Sequence, residues 1–344
     1  MTNKQKKKKI LILSIVLAVV SLLCAFYNLI NPYIVSRIEN RFNIISNKNA
    51  SIVHFISVGQ GDAVAINLPD GKVFLIDAGP VSSNVTYTYY LNQYVLNSKR
   101  NKTIDYLVMT HADEDHIGGV LRLLQNFDVD TIYMPTVFNE SQTFGTFLNY
   151  INEKDYNLVK MVDAEDLVTS DYTFKFFSPV SVIDPNESCP IIKFISGDKS
   201  FLFTGDIGKT SEAVLVEKYG HELDADILKV AHHGSKESSS IEFLKAVSPD
   251  YAVISCGVNS FGHPTEEVIN NLTSVGAEIF RTDLKGNMIF TKSANYNLTF
   301  HSGYYTITSL SLDYRILILV VDAVVVLCII EVLLRKTKRD NASI

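Results

Sequence analysis

The sequence predicts a mixed α/β domain that lies between two membrane-spanning helices. Short apolar segments ending in turn residues alternate with stretches of helical spacing, and two long apolar segments lie near the chain ends. Histidine and aspartate residues follow several of the short segments. With 344 residues, of which 47% are hydrophobic, the chain is long enough to bury a large core.

The first long apolar segment covers residues 10–29 and follows a run of lysines. A segment of this length can cross a hydrocarbon layer about 30 Å thick. A cleavable signal peptide is the alternative, but no small-x-small cleavage site follows Ala25, and Cys24 lacks the preceding small residue of a lipoprotein site. We therefore expect a cytoplasmic basic tail at 1–9, a transmembrane helix at 10–29 and a linker at 30–50.

The second long apolar segment, 316–334, contains Asp322 and Glu331 and precedes a basic tail at 335–344. A carboxylate in mid-membrane costs about 2.5–3.5 kcal/mol, which the surrounding apolar residues can offset. A buried or surface helix of the folded domain is the alternative. Because basic residues flank the outer ends of both segments, the positive-inside rule places both termini in the cytoplasm. We expect a two-pass protein of the cell membrane with an extracytoplasmic domain at 51–303.

Acidic residues outnumber basic ones. The chain has 31 Lys and Arg against 37 Asp and Glu, a formal net charge of −6. Several of the basic residues lie in the two tails, so the region between the tails is more acidic than the whole chain. A broad positive field of the kind that attracts duplex DNA is therefore absent. Lys99, Arg100 and Lys102 could still form a local basic patch.

The region between the predicted spans alternates between strand-like and helix-like patterns. Pro69-Asp70-Gly71 is a turn signal between two early strands. Tyr87, Tyr90 and Tyr94 recur at helical spacing, which favours a packed helix face over a base-stacking platform. We expect strands at 52–58, 63–68, 72–76, 104–109, 132–134, 174–177, 191–195, 201–203, 251–254 and 288–290, and helices at 211–219 and 265–275.

The densest group of polar side chains contains His111, Asp113, Asp115 and His116, just after an apolar segment. Imidazole nitrogens and carboxylate oxygens are the usual protein ligands of Zn²⁺, and of Mn²⁺ where oxygen dominates. A strand that stops at His111, followed by a helix from His116, would bring the four side chains together. Gly118-Gly119 would let backbone approach closely at the start of that helix. A solvated acidic turn is the alternative.

Further ligand-type residues follow later strands. Asp206 comes after one apolar segment, and the pair His232-His233 comes after another. Adjacent histidines on a regular strand point in opposite directions, so we expect one of them to face the site and the other to pack. His263 precedes Pro264, which would start a helix. The recurrence of these residues in order favours a metal site over an isolated acidic turn.

Five other positions receive simpler assignments. Asp62 and Asp77 stand at strand ends beside glycines, where a carboxylate accepts backbone N–H groups or orients a metal-bound histidine. We take His54, His221 and His301 as structural or surface residues, because none follows a strand in the same way.

The cysteines do not form a disulfide framework. Cys24 and Cys328 fall within the predicted spans, which leaves Cys189 and Cys256 as the pair that could bridge. Spacing alone leaves a disulfide open, but two buried free thiols are the favoured interpretation.

The order of these motifs resembles the metallo-β-lactamase superfamily, and more closely the domain attached to ComEC-type DNA-uptake channels. The segments that carry the resemblance are Val58–Ala63, His111–Gly119, Phe203–Asp206, Lys229–Ser235, Gly262–Pro264 and Arg281–Asp283, together with Gly286. The match covers roughly residues 52–290. It implies an αββα sandwich, here flanked by two transmembrane helices, with a metal site between the sheets at their loop edge. Two spans do not make a channel, so a DNA-transport role is not inherited.

The resemblance also implies a ligand set for two divalent metal ions, Zn or Mn. His111 and Asp113 would bind one ion, Asp115, His116 and His263 would bind the other, and Asp206 would bridge them. In the alternative assignment His233 is a ligand and His263 contacts the substrate.

The chain departs from the superfamily pattern at the first metal position. The superfamily has histidine where this chain has Asp113, and it usually supplies another histidine between His116 and Asp206. Asn186 or a neighbour could stand there instead. An oxygen-rich first position either shifts the preference from Zn²⁺ toward Mn²⁺ or leaves that position weakly filled.

Such a site implies hydrolysis. A bound cation lowers the pKa of water from about 15.7 toward 7 and so produces hydroxide at neutral pH. His232 or His233 would bind a phosphate oxygen or protonate the leaving group, and Asp115 would act beside them. We expect a membrane-anchored phosphodiesterase or nuclease acting outside the membrane, on a nucleic acid strand or a phosphodiester of the cell envelope. The alternatives are hydrolysis of a lactone, thioester or other acyl ester, and a non-catalytic membrane-anchored binding or assembly module.

Overall fold

The computed structural model describes residues 50–96, 102–135, 137, 141–161, 164–179, 184–293 and 299–302. All of them belong to one compact unit, Arg41–Gly303. Both predicted spans, both tails and the predicted linker up to residue 49 lie outside these residues. Among the described helices, none is both long and apolar enough to cross a membrane.

The described residues form two β-sheets. The strands are β1 (Ala50–Phe55), β2 (Val64–Asn67), β3 (Val73–Ile76), β4 (Ile104–Val108), β5 (Val129–Met134), β6 (Asn157–Lys160), β7 (Leu167–Val168), β8 (Thr173–Phe177), β9 (Ile191–Ser196), β10 (Lys199–Phe203), β11 (Ile227–Lys229), β12 (Tyr251–Ile254), β13 (Glu278–Arg281), β14 (Met288–Ser293) and β15 (Thr299–Ser302). The first sheet has the order β15-β14-β1-β2-β3-β4-β5-β6, and the second has the order β13-β12-β11-β10-β9-β8-β7.

Helices cover the outer face of each sheet. The α-helices of the described residues are α1 (Asn84–Tyr90), α2 (Glu114–Ile117), α3 (Val120–Asn126), α4 (Gln142–Asn152), α5 (Lys209–Tyr219), α6 (Ile241–Val247), α7 (Glu266–Ser274) and α8 (Thr282–Lys285). Apolar residues of α1, α3 and α4 pack on the first sheet, and those of α5, α6 and α7 pack on the second. The predicted αββα sandwich is therefore confirmed for the described residues.

The sequence of β3 is continuously apolar because both faces of this strand are buried. Side chains alternate between the two faces of a strand, so Val73 and Leu75 pack in the helix layer while Phe74 and Ile76 pack between the sheets. The ring of Phe74 stacks on Phe174 of the opposite sheet, with centroids 4.1 Å apart. Both faces of the strand are thus buried, and a polar residue would be costly on either one.

The tyrosine pattern forms a packed helix face, as predicted. Tyr87 and Tyr90 of α1 are buried among apolar residues of the first sheet. The hydroxyl of Tyr87 donates to the carbonyl of Asp77, at 3.2 Å, and that of Tyr90 contacts Nδ1 of His54, at 3.0 Å. His54 is fully buried in β1 and has a structural role, which confirms its assignment.

The two described cysteines are free thiols. Cys189 and Cys256 are both buried and form no disulfide within the described part of the chain. Burial raises the pKa of both thiols, in the case of Cys256 to about 12. The favoured interpretation is confirmed, and both thiols stay protonated at neutral pH.

Parallel strands bring several loops to one edge of the sandwich. Strands β3 and β4 pair in parallel in the first sheet, and β10, β11 and β12 do so in the second. The carboxyl ends of parallel strands meet at one edge of a sheet, where ligands are commonly bound. The loops after β3, β4, β10 and β11 carry Asp77, His111, Asp206 and His233, respectively.

The glycine pair after His116 allows a close approach between two backbone segments. A Cβ added at Gly119 would overlap the carbonyl oxygen of Ala78, and one added at Gly118 would overlap the backbone nitrogen of Val81. The N–H of Gly119 donates to the carbonyl of Gly79, at 2.9 Å. The prediction for this pair is confirmed. The helix itself begins at Glu114 rather than at His116, because Asp113 is extended and the turn starts directly after it.

We expect Gly119→Ala to lower the free energy of unfolding by about 1–3 kcal/mol, because the added methyl group forces the two backbones apart. Gly145→Ala in α4 is the control, since no atom of the described residues lies within 4 Å of a Cβ added there. That change should leave stability unchanged or raise it by about 0.5–1 kcal/mol. Chemical denaturation measures both values, and equal effects would contradict the packing argument.

Candidate metal centre

Asp77 organises the buried side of the site. It follows β3 in a left-handed conformation, with φ of 58°, and its side chain is buried. One carboxylate oxygen accepts the N–H of Thr110, at 2.9 Å. The other accepts the hydroxyl of Thr110, at 2.7 Å, and Nδ1 of His116, at 2.8 Å. The predicted role of Asp77 in orienting a histidine agrees with these contacts.

Hydrogen bonds at Nδ1 fix the tautomers of three histidines. Nδ1 of His116 donates to Asp77, and Nδ1 of His233 donates to the carbonyl of Ser255, at 2.9 Å. The hydroxyl proton of Thr110 is engaged by Asp77, so Nδ1 of His111 is the donor in its 3.0 Å contact with Thr110. In a neutral imidazole the other nitrogen then carries a lone pair. All three rings therefore turn Nε2 toward the cluster, and this atom carries a lone pair whenever the ring is neutral.

The three Nε2 atoms converge on the carboxylate of Asp206. They lie 3.2 Å from it in His116, 3.5 Å in His233 and 4.0 Å in His111. All three Nε2 atoms and Oδ1 of Asp206 are buried, and no hydrogen-bond partner is found for them within the described part of the chain. Buried polar atoms without a partner are costly, and a cation would satisfy all four at once. The donor set therefore fits a divalent metal ion.

The charges of the cluster point to the same requirement. Burial disfavours a charged imidazole, but Asp206 and Asp77 outweigh it at His116 and raise its pKa. At His111, burial and the neighbouring His116 prevail and lower the pKa. The carboxylate of Asp206 thus favours a positive charge next to it, which either a proton or a metal ion can supply.

Two aspartates stand at the solvent side of the cluster. Oδ2 of Asp113 lies 3.7 Å from Nε2 of His111, and Oδ2 of Asp115 lies 3.2 Å from Nε2 of His233. Both side chains are about one third exposed. Burial alone would raise the pKa of Asp115, but His233 and His116 outweigh it and lower the pKa to about 2. Asp115 is therefore ionised at neutral pH and available to a cation.

Four groups of donor atoms lie close enough together to hold an ion, with all atoms of a group within 4.8 Å of one another. They are His111 with His116 and Asp206, Asp115 with His116 and His233, Asp62 with Asp206 and His233, and Asp62 with Asp77 and His116. His233 belongs to two of these groups. His263 and Asp113 belong to none of them.

Both histidines of the adjacent pair face the site, so the prediction that one packs away was wrong. His232 and His233 each have a positive φ, near 50°, because they form a tight turn rather than a regular strand. Nε2 of His232 lies 3.7 Å from Asp206, and its side chain is 31% exposed. His233 is the buried member of the pair and His232 is the open one.

His263 lies outside the donor groups, on the solvent side of His232, whereas the favoured ligand assignment makes His263 a metal ligand. Its ring contacts that of His232, with centroids 5.7 Å apart, and on its other side it contacts the exposed ring of Phe261, also at 5.7 Å. Burial and the two neighbouring histidines lower the pKa of His263. This geometry favours the alternative, in which His233 is the inner ligand and His263 meets the substrate.

Lys229, which was not predicted from the sequence as a site residue, is buried at the end of β11. Its ammonium forms an ion pair with Asp62 and lies 3.9 Å from Asp206. Burial opposes the charge, but Asp62 and Asp206 outweigh it and raise the pKa of Lys229. A lysine inside the apolar run 227–231 was the available signal, because such a position is rarely charged unless it is paired.

Asn186 has contacts other than those expected. Its N–H donates to the carboxylate of Asp184, at 2.9 Å, within a turn. Its neighbour Glu187 accepts the N–H of Ser211 in the first turn of α5, also at 2.9 Å. Among the described residues, neither Asn186 nor Glu187 belongs to a metal-binding group.

The family profile described as "Metallo-beta-lactamase superfamily" matches residues 56–258. ComE operon protein 3 of Bacillus subtilis is 31% identical over 253 residues, which cover 69% of this chain and 32% of that protein. Competence protein ComA of Neisseria gonorrhoeae is 32% identical over 247 residues, which cover 71% and 32%, respectively. The chain thus spans about a third of the length of these curated relatives.

Among solved structures, the chain is similar to Igni18, a metallo hydrolase from Ignicoccus hospitalis. The identity is 18% and the TM-score 0.47, over 70% of this chain and 98% of that chain. The resemblance to ComEC-type domains is confirmed by the curated relatives. From its profile match, this chain belongs to the metallo-beta-lactamase superfamily, whose fold generally binds divalent metal ions.

Proposed function

We propose that this chain is a metal-dependent phosphodiesterase held at a membrane. The observation that carries the proposal is the convergence of three Nε2 atoms, those of His111, His116 and His233, on the buried carboxylate of Asp206. Each ring is locked by a hydrogen bond at Nδ1, so the site is organised before any cation binds.

Two cations fit the donor set. His111, Asp113 and Asp206 would hold one, and Asp115, His116 and His233 would hold the other, with Asp206 shared between them. The first position has one nitrogen and two carboxylates, which favours Mn²⁺ over Zn²⁺ there. The second has two nitrogens and one carboxylate and suits either metal.

The chemistry follows from the layering of the site. A divalent cation supplies Lewis acidity, which lets a water molecule lose its proton near neutral pH. Asp115 is ionised at the mouth of the site and orients that water through its carboxylate. Nε2 of His232, on the open side, binds a phosphate oxygen. His263 next to it is a neutral imidazole near pH 7, because its pKa is lowered, and it donates a hydrogen bond from its ring N–H to the substrate.

The lining of the mouth favours a phosphodiester over an acyl ester. The polar side chains of Asp113, Asp115, His232 and His263 stand there, and the exposed ring of Phe261 lies on the outer side of His263. An acyl substrate needs an apolar pocket beside the nucleophile, whereas an anionic phosphodiester needs positive charge and hydrogen-bond donors. The imidazoles and the two cations would supply both.

The membrane attachment rests on the sequence segments 10–29 and 316–334. We expect the full-length chain to sediment with membranes and to remain there after washing at high salt and at alkaline pH, because each segment is about 20 residues long and mostly apolar. Protease added outside intact cells should cleave within 51–303. Release of the chain into the soluble fraction by washing would contradict the proposal.

Metal binding tests the site directly. We expect Asp206→Asn and His233→Ala to lower the affinity for Mn²⁺ or Zn²⁺ by at least about 100-fold. Replacing a residue that only hydrogen-bonds to a metal ligand already lowers metal affinity about 10–100-fold, and these two residues are ligands themselves. His221→Ala, at an exposed position outside the cluster, is the control and should bind like the wild type. Metal analysis after dialysis against a chelator measures the difference. Equal metal content in all variants would contradict the site.

His263 separates the two ligand assignments. We expect His263→Ala to retain the wild-type metal content but to lose about 10²-fold or more in kcat/KM, because it acts on the substrate side. If His263→Ala loses the metal while His233→Ala keeps it, the assignment proposed here is wrong and the reverse one holds.

Turnover of bis-p-nitrophenyl phosphate by the metal-loaded chain tests the activity, with p-nitrophenyl acetate and a lactone as comparison substrates. We expect hydrolysis of the phosphodiester, which Asp206→Asn abolishes and His221→Ala does not. Hydrolysis of the acyl substrates alone would replace the proposal with the acyl-ester alternative. The absence of turnover with both metals, in folded and metal-loaded protein, would support a non-catalytic module instead.

A further inference from the structure

Lys229 is a charged residue buried directly behind the metal-binding groups. Its side chain is 2% exposed, and its ammonium forms an ion pair with Asp62, which is also buried. A buried ammonium is costly unless its charge and its protons are satisfied. The ammonium also donates to the carbonyl of Gly205, at 3.1 Å.

Lys229 holds the turn that presents Asp206. Its ammonium binds Gly205, which has a positive φ of 50°, and its own carbonyl accepts the hydroxyl of Thr204, at 2.6 Å. The two bonds fix both residues that precede Asp206 in the chain. The ammonium itself stands 3.9 Å from the carboxylate of Asp206. Lys229 therefore restrains the position of that carboxylate through the backbone as well as through charge.

Asp62 connects the same ion pair to two of the histidine rings. Oδ1 of Asp62 lies 3.6 Å from Nδ1 of His233, and Oδ2 lies 3.9 Å from Nδ1 of His116. These are the ring nitrogens that face away from Asp206. The carboxylate of Asp62 thus favours the protonated Nδ1 that leaves Nε2 bare in both rings.

The ion pair also balances the charge of the cluster. Asp62, Asp206 and His233 form one of the groups that could hold a cation, and the ammonium of Lys229 already contacts Asp62 within that group. Lys229 thus supplies a permanent positive charge behind the site. Divalent cations are left to the two groups that lack Asp62, one of which contains His111 and the other Asp115.

We propose that Lys229, paired with Asp62, is a positioning residue that holds Asp206 and His233 in place for metal binding. This inference rests on the metal centre proposed above and assigns a role to two residues that are not themselves ligands there. A purely structural role is the competing explanation. Replacing both partners of a buried ion pair leaves no unpaired charge behind, so it costs less stability than removing one partner, and stability and positioning can be measured separately.

The test uses the full-length chain and the double variant Lys229→Met/Asp62→Asn. We expect its thermal unfolding midpoint in a chelator to stay near that of the wild type, while its affinity for Mn²⁺ and Zn²⁺ falls 10–100-fold. The affinity is measured by competition with a chelating dye. The single variant Asp62→Asn keeps the shape of the side chain and should lower the affinity in the same direction.

The matched control is Lys199→Met/Asp226→Asn. It removes another lysine–aspartate ion pair, at the far end of β10 from Asp206. We expect the metal affinity of this control to equal that of the wild type. A spectrum of the Co²⁺-loaded protein should change in the Lys229 double variant only, because it reports ligand geometry rather than stability.

Three outcomes would overturn the inference. If both Lys229→Met/Asp62→Asn and Asp62→Asn bind Mn²⁺ and Zn²⁺ with wild-type affinity, the ion pair has only a structural role. An equal loss of affinity in the Lys199 control would show a general effect of removing ion pairs. If the wild type itself binds no metal, the proposed function fails and this inference fails with it, whereas the first two outcomes leave the proposed function intact.

Discussion

The carboxylate of Asp77 is the interaction on which the geometry of the site depends. It joins the end of β3 to the end of β4 through Thr110, and it joins both to the ring of His116. Because it accepts the hydroxyl proton of Thr110, it also sets the direction of the hydrogen bond between Thr110 and His111. One buried charge thus orients two of the three rings. The close backbone contacts of Gly118 and Gly119 hold α2 at the distance that the hydrogen bond between His116 and Asp77 requires.

The sandwich supplies the second half of the site from the other sheet. Asp206 follows β10 and His233 follows β11, and these strands pair in parallel with their carboxyl ends at the same edge. The aromatic core between the sheets, which includes Phe74, Phe174 and Phe203, fixes the separation of the two halves. The resulting layers run from an ion pair at the back, through ring nitrogens and carboxylates, to His232 and His263 at the front.

Local patterns in the sequence were sufficient to predict a mixed α/β domain, ligand-type residues at the ends of strands and the packed tyrosine face. The layer architecture was implied by the resemblance to the metallo-β-lactamase superfamily and not by a local pattern. The sequence was not sufficient to choose between His233 and His263. The choice depends on the directions of His232 and His233, which lie in a turn where both residues have a positive φ. The alternation of side chains along a regular strand does not predict these directions. Lys229 was missed for a related reason. Its partner Asp62 lies far away in the chain, and the ion pair exists only after the two sheets have packed.

Diffraction from crystals grown with Mn²⁺ or Zn²⁺, recorded at the absorption edge of the metal, tests the central claim most directly. We expect two anomalous peaks beside Asp206. One should lie about 2.0–2.1 Å from Nε2 of both His116 and His233 when the metal is Zn²⁺, and the other should lie next to Nε2 of His111. A metal ion bound through Nδ1 of these rings would contradict this expectation. So would an ion bound to His263 in place of His233, or the absence of any metal ion from the cluster around Asp206.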